Sequence, residues 1–264
     1  MSNFHFFPKK SLGQVFLKKR SVLQKIIKEG EIEENDIVVE IGAGLGNLTM
    51  ELERKVKIVF AIEKDAKLVN VLREKFKNSK KVKIIEGDAR EILPKISENL
   101  KGYKIVANIP YYLTSFLFRQ IFELKNKPKL MVLLVQKEVA ERVVAKPPKS
   151  TFLGMMISFF AEAKIVGFVS KNCFWPKPKV DSAILKLTLK EKEEEKEILK
   201  LIKMGFTFPR KKLANNLATG LKLKKECVEN LLKSCKIKVD ARAENLTLKD
   251  WKCLFEKLKN EKKI

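Results

Sequence analysis

The sequence predicts an α/β protein: an open, mostly parallel sheet with helices on both faces and an antiparallel closing strand, followed by a small all-helical C-terminal domain. Three observations carry this prediction. Near-continuous apolar, β-branched runs alternate with longer stretches of helical apolar spacing. Two later runs flank a proline-bearing connection that ends the alternation. After Leu189 a charged run leads into helical periodicity alone. The predicted domains are 1–189 and 190–264.

The strand candidates, in order, are "DIVVEIG" (36–42), "KIVFAIE" (57–63), "KVKIIEG" (81–87), "YKIVAN" (103–108) and "LMVLLVQ" (130–136). Strands covered on both faces lose the polar–apolar alternation of a half-exposed sheet, which is the pattern here. Segments such as "NLTMELERK" and "AKLVNVLREKFK" supply the covering helices. "AKIVGFVS" (163–170) and "SAILKLTL" (182–189), on either side of "FWPKPK", read as an antiparallel pair closing the sheet. "KEKEEEKE" (190–197) reads as a linker or a solvated helix start. "ILKLIKMGF", "LANNLATGL", "ECVENLLKSC" and "LKDWKCLFEKLK" then read as helices.

Charge narrows the function. Fifty-six Lys+Arg against 32 Asp+Glu give +24, with a pI near 9.8. Such a balance is the footprint of a polyanion binder, nucleic acid first. A Lys/Glu-rich thermophile surface accounts for many charges but not for their one-sided sign. No apolar run approaches the roughly 20 residues of a membrane helix, and the amino terminus lacks a signal-peptide pattern, so a soluble cytoplasmic protein is expected. Cys173, Cys227, Cys235 and Cys253 contain no C-x-x-C pair, so neither a zinc site nor a disulfide framework is expected. His5 is the sole histidine, which excludes a His-based triad and an H-E-x-x-H metal site. The chemistry must run on carboxylates, amides, aromatics and backbone.

Four features fall at successive strand ends. Gly42, Gly44 and Gly46 in "EIGAGLG" separate a strand from a helix, where backbone and oriented N–H groups can approach a ligand. Their G-x-G-x-G spacing misses the dinucleotide pattern by one position. Glu63 in "FAIEKD" can take both hydroxyls of a ribose, and Asp88 in "IIEGDARE" can accept from an adenine amino group. Singly, these are also a tight turn, a helix-start acid and an N-cap. Asn108 opens "NIPYYLTS", which in isolation is turn punctuation. Together the four line one edge of one sheet.

In this order they resemble the S-adenosylmethionine-dependent methyltransferases, with "NIPY" marking the branch that methylates exocyclic base amines. "KKSLGQVFL", "VQKEVAERVVAKP" (135–147), "NCFWPKPKVDSA" (172–183) and "FPRKKLANNL" (208–217) resemble the small-subunit ribosomal RNA adenine N6,N6-dimethyltransferase family over nearly the whole chain. That likeness implies a Rossmann-like methyltransferase sheet in 1–189 and an RNA-binding helical domain in 190–264. Val15 stands where the family motif carries Asn, so a side-chain bond to the cofactor is lost there while backbone contacts remain possible.

The resemblance implies a division of labour. S-adenosylmethionine, leaving as S-adenosylhomocysteine, would be held by Gln14, Val15, Leu17, Gly42, Gly44, Glu63, Lys64, Asp88, Ala89 and Asn108. The Asn108 amide oxygen and the Ile109 carbonyl would each accept one N–H of the target amine. Pro110 fixes the turn, Tyr111 offers a ring for the base, and Phe174 covers its other face; Tyr112 packs inward. Arg210, Lys211, Lys212, Lys146, Lys149 and Lys177 would hold RNA phosphates. No metal is called for. The implied substrate is two adjacent adenosines near the 3′ end of small-subunit RNA in an immature small subunit, met by a monomer. Rival readings are a large-subunit RNA methyltransferase, a DNA adenine methyltransferase, an NAD oxidoreductase, and a non-catalytic assembly or transcription factor on the same fold.

Overall fold

A computed structural model describes residues 8–9, 13–109, 114–190 and 197–260. The expectations for His5, Pro110, Tyr111 and Tyr112, and for the charged run 191–196, lie outside the described residues.

The chain begins with a two-residue strand β1 (Phe16–Leu17) and helix α1 (Arg20–Glu29). The alternating core follows: β2 (Ile37–Ile41), α2 (Asn47–Glu53), β3 (Ile58–Glu63), α3 (Ala66–Lys75), β4 (Val82–Glu86), α4 (Ala89–Ser97), β5 (Lys104–Asn108), α5 (Thr114–Glu123), β6 (Leu130–Gln136) and α6 (Lys137–Val144). Then come α7 (Phe152–Phe160), β7 (Ala161–Val169), β8 (Phe174–Trp175) and β9 (Ser182–Leu189). Helices α8 (Glu197–Gly205), α9 (Leu213–Leu221), α10 (Lys225–Ser234) and α11 (Leu248–Asn260) complete it.

The seven-stranded sheet runs β4-β3-β2-β5-β6-β9-β7. β2 through β6 pair in parallel, and β9 runs antiparallel to β6 with Gln136 opposite Ser182. The chain passes from β2 outward to β4 and returns to β5 on the other side of β2. That reversal is a topological switch point, where open sheets bind ligands beyond their strands' carboxyl ends. Continuous burial explains the continuous apolar runs: Val38, Val39, Val59, Ala61, Val106 and Leu133 are wholly buried. At the opposite edge the Lys104 ammonium meets the Asp36 carboxylate at 2.6 Å, both buried, and Lys129 adds a second cation at 3.1 Å. Pairing keeps these buried charges tolerable where β2 and β5 begin.

Two compact units emerge: residues 1–140 with 162–189, and residues 141–161 with 190–264. The second takes in α7 because Met155 and Phe159 join the cluster built on Trp251, Leu213, Leu232 and Leu254. A mean pattern break at Leu189 carries no sign of that return, since α7 is as apolar as a buried strand. Contrary to the expectation of no disulfide, Cys235 and Cys253 are bonded, with Cα atoms 6.0 Å apart. The bond depends on α11 folding back to the C-terminal end of α10, a tertiary contact that spacing does not encode.

Candidate active site

A cleft open to solvent lies at the switch point. Every cofactor candidate read from the sequence lines it: Gln14, Val15, Leu17, Gly42, Gly44, Glu63, Lys64, Asp88, Ala89 and Asn108. Ile109 lines it too.

The glycine loop forms one wall. Gly44 has φ +58°, and a Cβ there would lie 3.1 Å from the Phe16 ring. Gly46 has φ +74°, and a Cβ there would lie 2.8 Å from Leu72. Both backbones lie in the left-handed region that favours glycine, and a side chain would crowd the Phe16 ring at Gly44 and collide with Leu72 at Gly46. Lys75 closes the loop from outside, donating to the carbonyls of Leu45 and Gly46 at 2.9 and 3.3 Å.

The two strand-end acids are already engaged. Glu63, buried, accepts from the backbone N–H of Gly44 at 2.8 Å, and from those of Lys64 and Asp65 at 2.8 and 2.9 Å. It ties the end of β3 to the glycine loop while facing the cleft. Asp88 caps α4, accepting from the Arg90 N–H at 2.9 Å. The Arg90 guanidinium reaches both its oxygens, at 2.9 and 2.6 Å, and Lys64 adds a contact at 2.9 Å. These bonds, Arg90 first, hold the Asp88 carboxyl far below the usual range. It therefore stands ionised, an acceptor only.

Asn108 ends β5 at the cleft. Its amide nitrogen donates to the Val15 carbonyl at 2.9 Å, which leaves the amide oxygen as the side-chain acceptor. Ile109, 1% exposed, is held by its N–H donating to Leu134 O at 3.3 Å. Val15 thus contributes a backbone atom, and its departure from the family's Asn costs the site nothing through this contact.

Two residues escaped the sequence reading. Asp65, buried, accepts from Gln14 Nε2 at 2.8 Å and from Lys9 Nζ at 3.0 Å, clamping the segment that carries Val15. The available signal was an Asp immediately before a helical pattern, and Asp65 does cap α3, accepting from Lys67 N–H at 3.1 Å. Glu40, 2% exposed, lines the cleft and accepts from the Thr49 hydroxyl at 2.6 Å. Burial pushes its carboxyl up to about 8, and the Glu63 carboxylate adds to the rise, against Thr49 and Lys75. An acid inside the apolar run "VVEI" was the available signal.

Phe174 is not among the cleft-lining residues. It is 5% exposed within the sheet's apolar cluster, while Trp175 beside it is 39% exposed. Strand alternation separates the two, since β8 pairs with β1 and turns successive side chains to opposite faces. Arg210, Lys211 and Lys212 are exposed at the start of α9, as are Lys146 and Lys149 in the same unit, and Lys177 in the sheet unit. The basic turn before α9 is fixed from inside by Asn216, which donates to the carbonyls of Gly205 and Phe208 at 2.6 and 3.0 Å. Among the described residues no cluster of metal-ligating side chains occurs, and no helix is long and apolar enough to cross a membrane.

Comparison with known proteins meets this geometry. A family model described as ribosomal RNA adenine dimethylase matches residues 6–260. A ribosomal RNA small subunit methyltransferase A of Dehalococcoides mccartyi is 40% identical over 261 residues, covering 96% of this chain and 89% of the relative. A protein of the same description from Clostridium botulinum is 36% identical, covering 95% and 94%. Among solved structures, a dimethyladenosine transferase from Plasmodium falciparum superposes with TM-score 0.80 at 27% identity, covering 94% of this chain and 98% of that one. The 23S rRNA methyltransferase ErmE follows with TM-score 0.75 at 25% identity, covering 92% and 99%. Near-full coverage by the family, over a cleft lined by a glycine loop and an anchored strand-end asparagine, shows that the chain belongs to the ribosomal RNA adenine dimethylases.

Proposed function

We propose that this protein transfers methyl groups from S-adenosylmethionine to N6 of two adjacent adenosines near the 3′ end of small-subunit ribosomal RNA, giving N6,N6-dimethyladenosines during ribosome biogenesis. The observation that carries the reading is Asn108, which lines the cleft and is fixed through its amide nitrogen, with its oxygen left to accept. Relatives at 36–40% identity that carry the small-subunit description support the choice of RNA.

The cleft fits the cofactor. The glycine loop admits close backbone approach, Glu63 offers carboxylate oxygen at the end of β3, and apolar residues such as Ile41 and Leu68 line the remainder. When bound, S-adenosylmethionine supplies a methyl group already activated on a sulfonium, so no metal is required. Gln14, Val15, Leu17, Gly42, Gly44, Glu63, Lys64, Asp88, Ala89 and Asn108 would hold it.

The amine is the harder partner, because its lone pair is delocalised into the adenine ring. Asn108 oxygen and the Ile109 carbonyl each accept one of its hydrogens, which turns the lone pair toward the donor. Orientation of this kind is worth roughly 7–11 kcal/mol. Pro110 and Tyr111 would shape the turn and stack the base. The target base must leave its stack to enter, which favours loop or junction RNA. Arg210, Lys211, Lys212, Lys146, Lys149 and Lys177 hold phosphates without reading bases. The partner is the immature small subunit, approached by a monomer in the cytoplasm.

The test is direct. Incubated with labelled cofactor and undermethylated small subunits, the protein should place label on two adjacent adenosines as N6,N6-dimethyladenosine, identified by mass spectrometry of the RNA. Label in large-subunit RNA, or none in adenosine, refutes the assignment.

A further inference from the structure

We infer that the carboxyl edge of the sheet also carries a platform for single-stranded RNA, built from two exposed ring–lysine pairs: Trp175 with Lys18, and Phe168 with Lys137. The inference rests on the RNA-methylating reading and names the surface that holds the strand beside the target base.

Large exposed apolar side chains are few among the described residues, and these two rings are both at the working edge. Phe168 is 62% exposed and Trp175 39%. The Lys18 ammonium lies 5.4 Å from the Trp175 ring centre, and the Lys137 ammonium 5.3 Å from that of Phe168. Pairings fix the location. Lys137 follows directly on the carboxyl end of β6, and its N–H donates to Asp181 O at 3.0 Å. Leu134 of the same strand lies opposite Asn108. Trp175 pairs with Phe16, which lines the cleft, and the Lys18 N–H donates to Cys173 O at 2.9 Å. The segment between the two rings adds Lys171 and, beyond Trp175, Lys177 and Lys179.

Chemistry selects the occupant. Protein–protein interfaces are depleted of lysine relative to the rest of the surface. Here the Trp175 ring lies against Phe16, ring centres 6.2 Å apart, and each exposed ring has an ammonium at its face with further lysines around it. That alternation fits a strand of unpaired nucleotides, whose bases stack on rings while phosphates take the ammonium groups. Extruding the target base leaves its neighbours unstacked, and these are the bases the rings would receive.

The chain supplies its own reporter. It has two tryptophans, and Trp251 is fully buried in the helical unit. An emission change on adding a single-stranded oligoribonucleotide of about ten nucleotides therefore reports Trp175. We expect quenching of Trp175 emission as the oligoribonucleotide binds, and protection from acrylamide. Phe168→Ala should weaken oligoribonucleotide binding by about five- to a hundredfold, the worth of one stacked base, with cofactor affinity by calorimetry unchanged. The inference is overturned if the oligoribonucleotide fails to bind, or binds with unaltered Trp175 emission and equal affinity for Phe168→Ala. Quenching by anionic vesicles or a protein fraction, and not by RNA, overturns it as well. If N6,N6-dimethyladenosine still forms on small subunits in those cases, the platform fails and the catalytic reading stands. If no dimethyladenosine forms, the catalytic reading fails on its own account.

Discussion

The amide nitrogen of Asn108 donates to the carbonyl of Val15, 93 residues earlier, at 2.9 Å. This bond decides which end of the amide faces a substrate. Asn108→Ala removes the acceptor without touching the glycine loop or Glu63. We expect transfer to fall at least about a hundred- to a thousandfold, as for loss of one preorganised hydrogen-bonding group. Cofactor affinity by calorimetry should stay within a few-fold. Equal losses in affinity and rate would place Asn108 in cofactor binding alone. Val15→Ala keeps the carbonyl and should keep most of the activity.

Asp65 holds the segment from which that carbonyl comes. Its two oxygens receive Gln14 and Lys9, and those partners, against burial, keep its carboxyl below the ordinary range. The clamp is therefore present at neutral pH and is lost only as pH falls through that lowered value. Asp65→Ala should release residues 9–17. The expected signs are faster proteolysis at Lys9, weaker cofactor binding and slower transfer together. Unchanged proteolysis in the variant would show that β1 and its pairing with β8 hold the segment without help.

Much of this was legible in the sequence, and the failures have common causes. The parallel strands were readable because burial on both faces erases alternation, as at Val38, Val39, Leu133 and Leu134. The strand-end series was readable because topology brings successive carboxyl ends together, so Gly42, Glu63, Asp88 and Asn108 converge on one cleft without any distance being known. What escaped depends on contacts between segments far apart in the chain. Strands as short as Phe16–Leu17 and Phe174–Trp175 have no period to detect. The Cys235–Cys253 bond, the Asp65 clamp and the burial of Phe174 beside an exposed Trp175 all follow from pairing partners that spacing does not name.

Gly44 gives a sharp test of the cleft wall. A methyl group there meets the Phe16 ring at 3.1 Å on a backbone at φ +58°. Backbone strain of this kind costs about 1–2 kcal/mol before any clash. Gly44→Ala should lower cofactor affinity by about tenfold or more in calorimetry while the far-UV spectrum stays native. Affinity at the level of the unmodified protein would mean the loop does not touch the ligand.

Glu40 makes the stability of the free protein depend on pH in an unusual direction. Its carboxyl rises from an ordinary 4.5 to about 8 on folding, chiefly through burial, with Glu63 adding to the rise and Thr49 and Lys75 opposing it. Between those values the folded state binds a proton that the unfolded state has released. Stability from this group is thus complete below about 4.5 and declines as pH rises, levelling off above about 8. Glu40→Gln keeps the shape and the acceptor for Thr49 but cannot ionise. Measured by thermal or denaturant unfolding without cofactor, the variant should gain on the unmodified protein by an amount that grows across pH 4.5–8 and reaches on the order of 5 kcal/mol. A difference that does not change with pH would mean that Glu40 is already ionised in the folded protein, with Lys75 as its counter-charge.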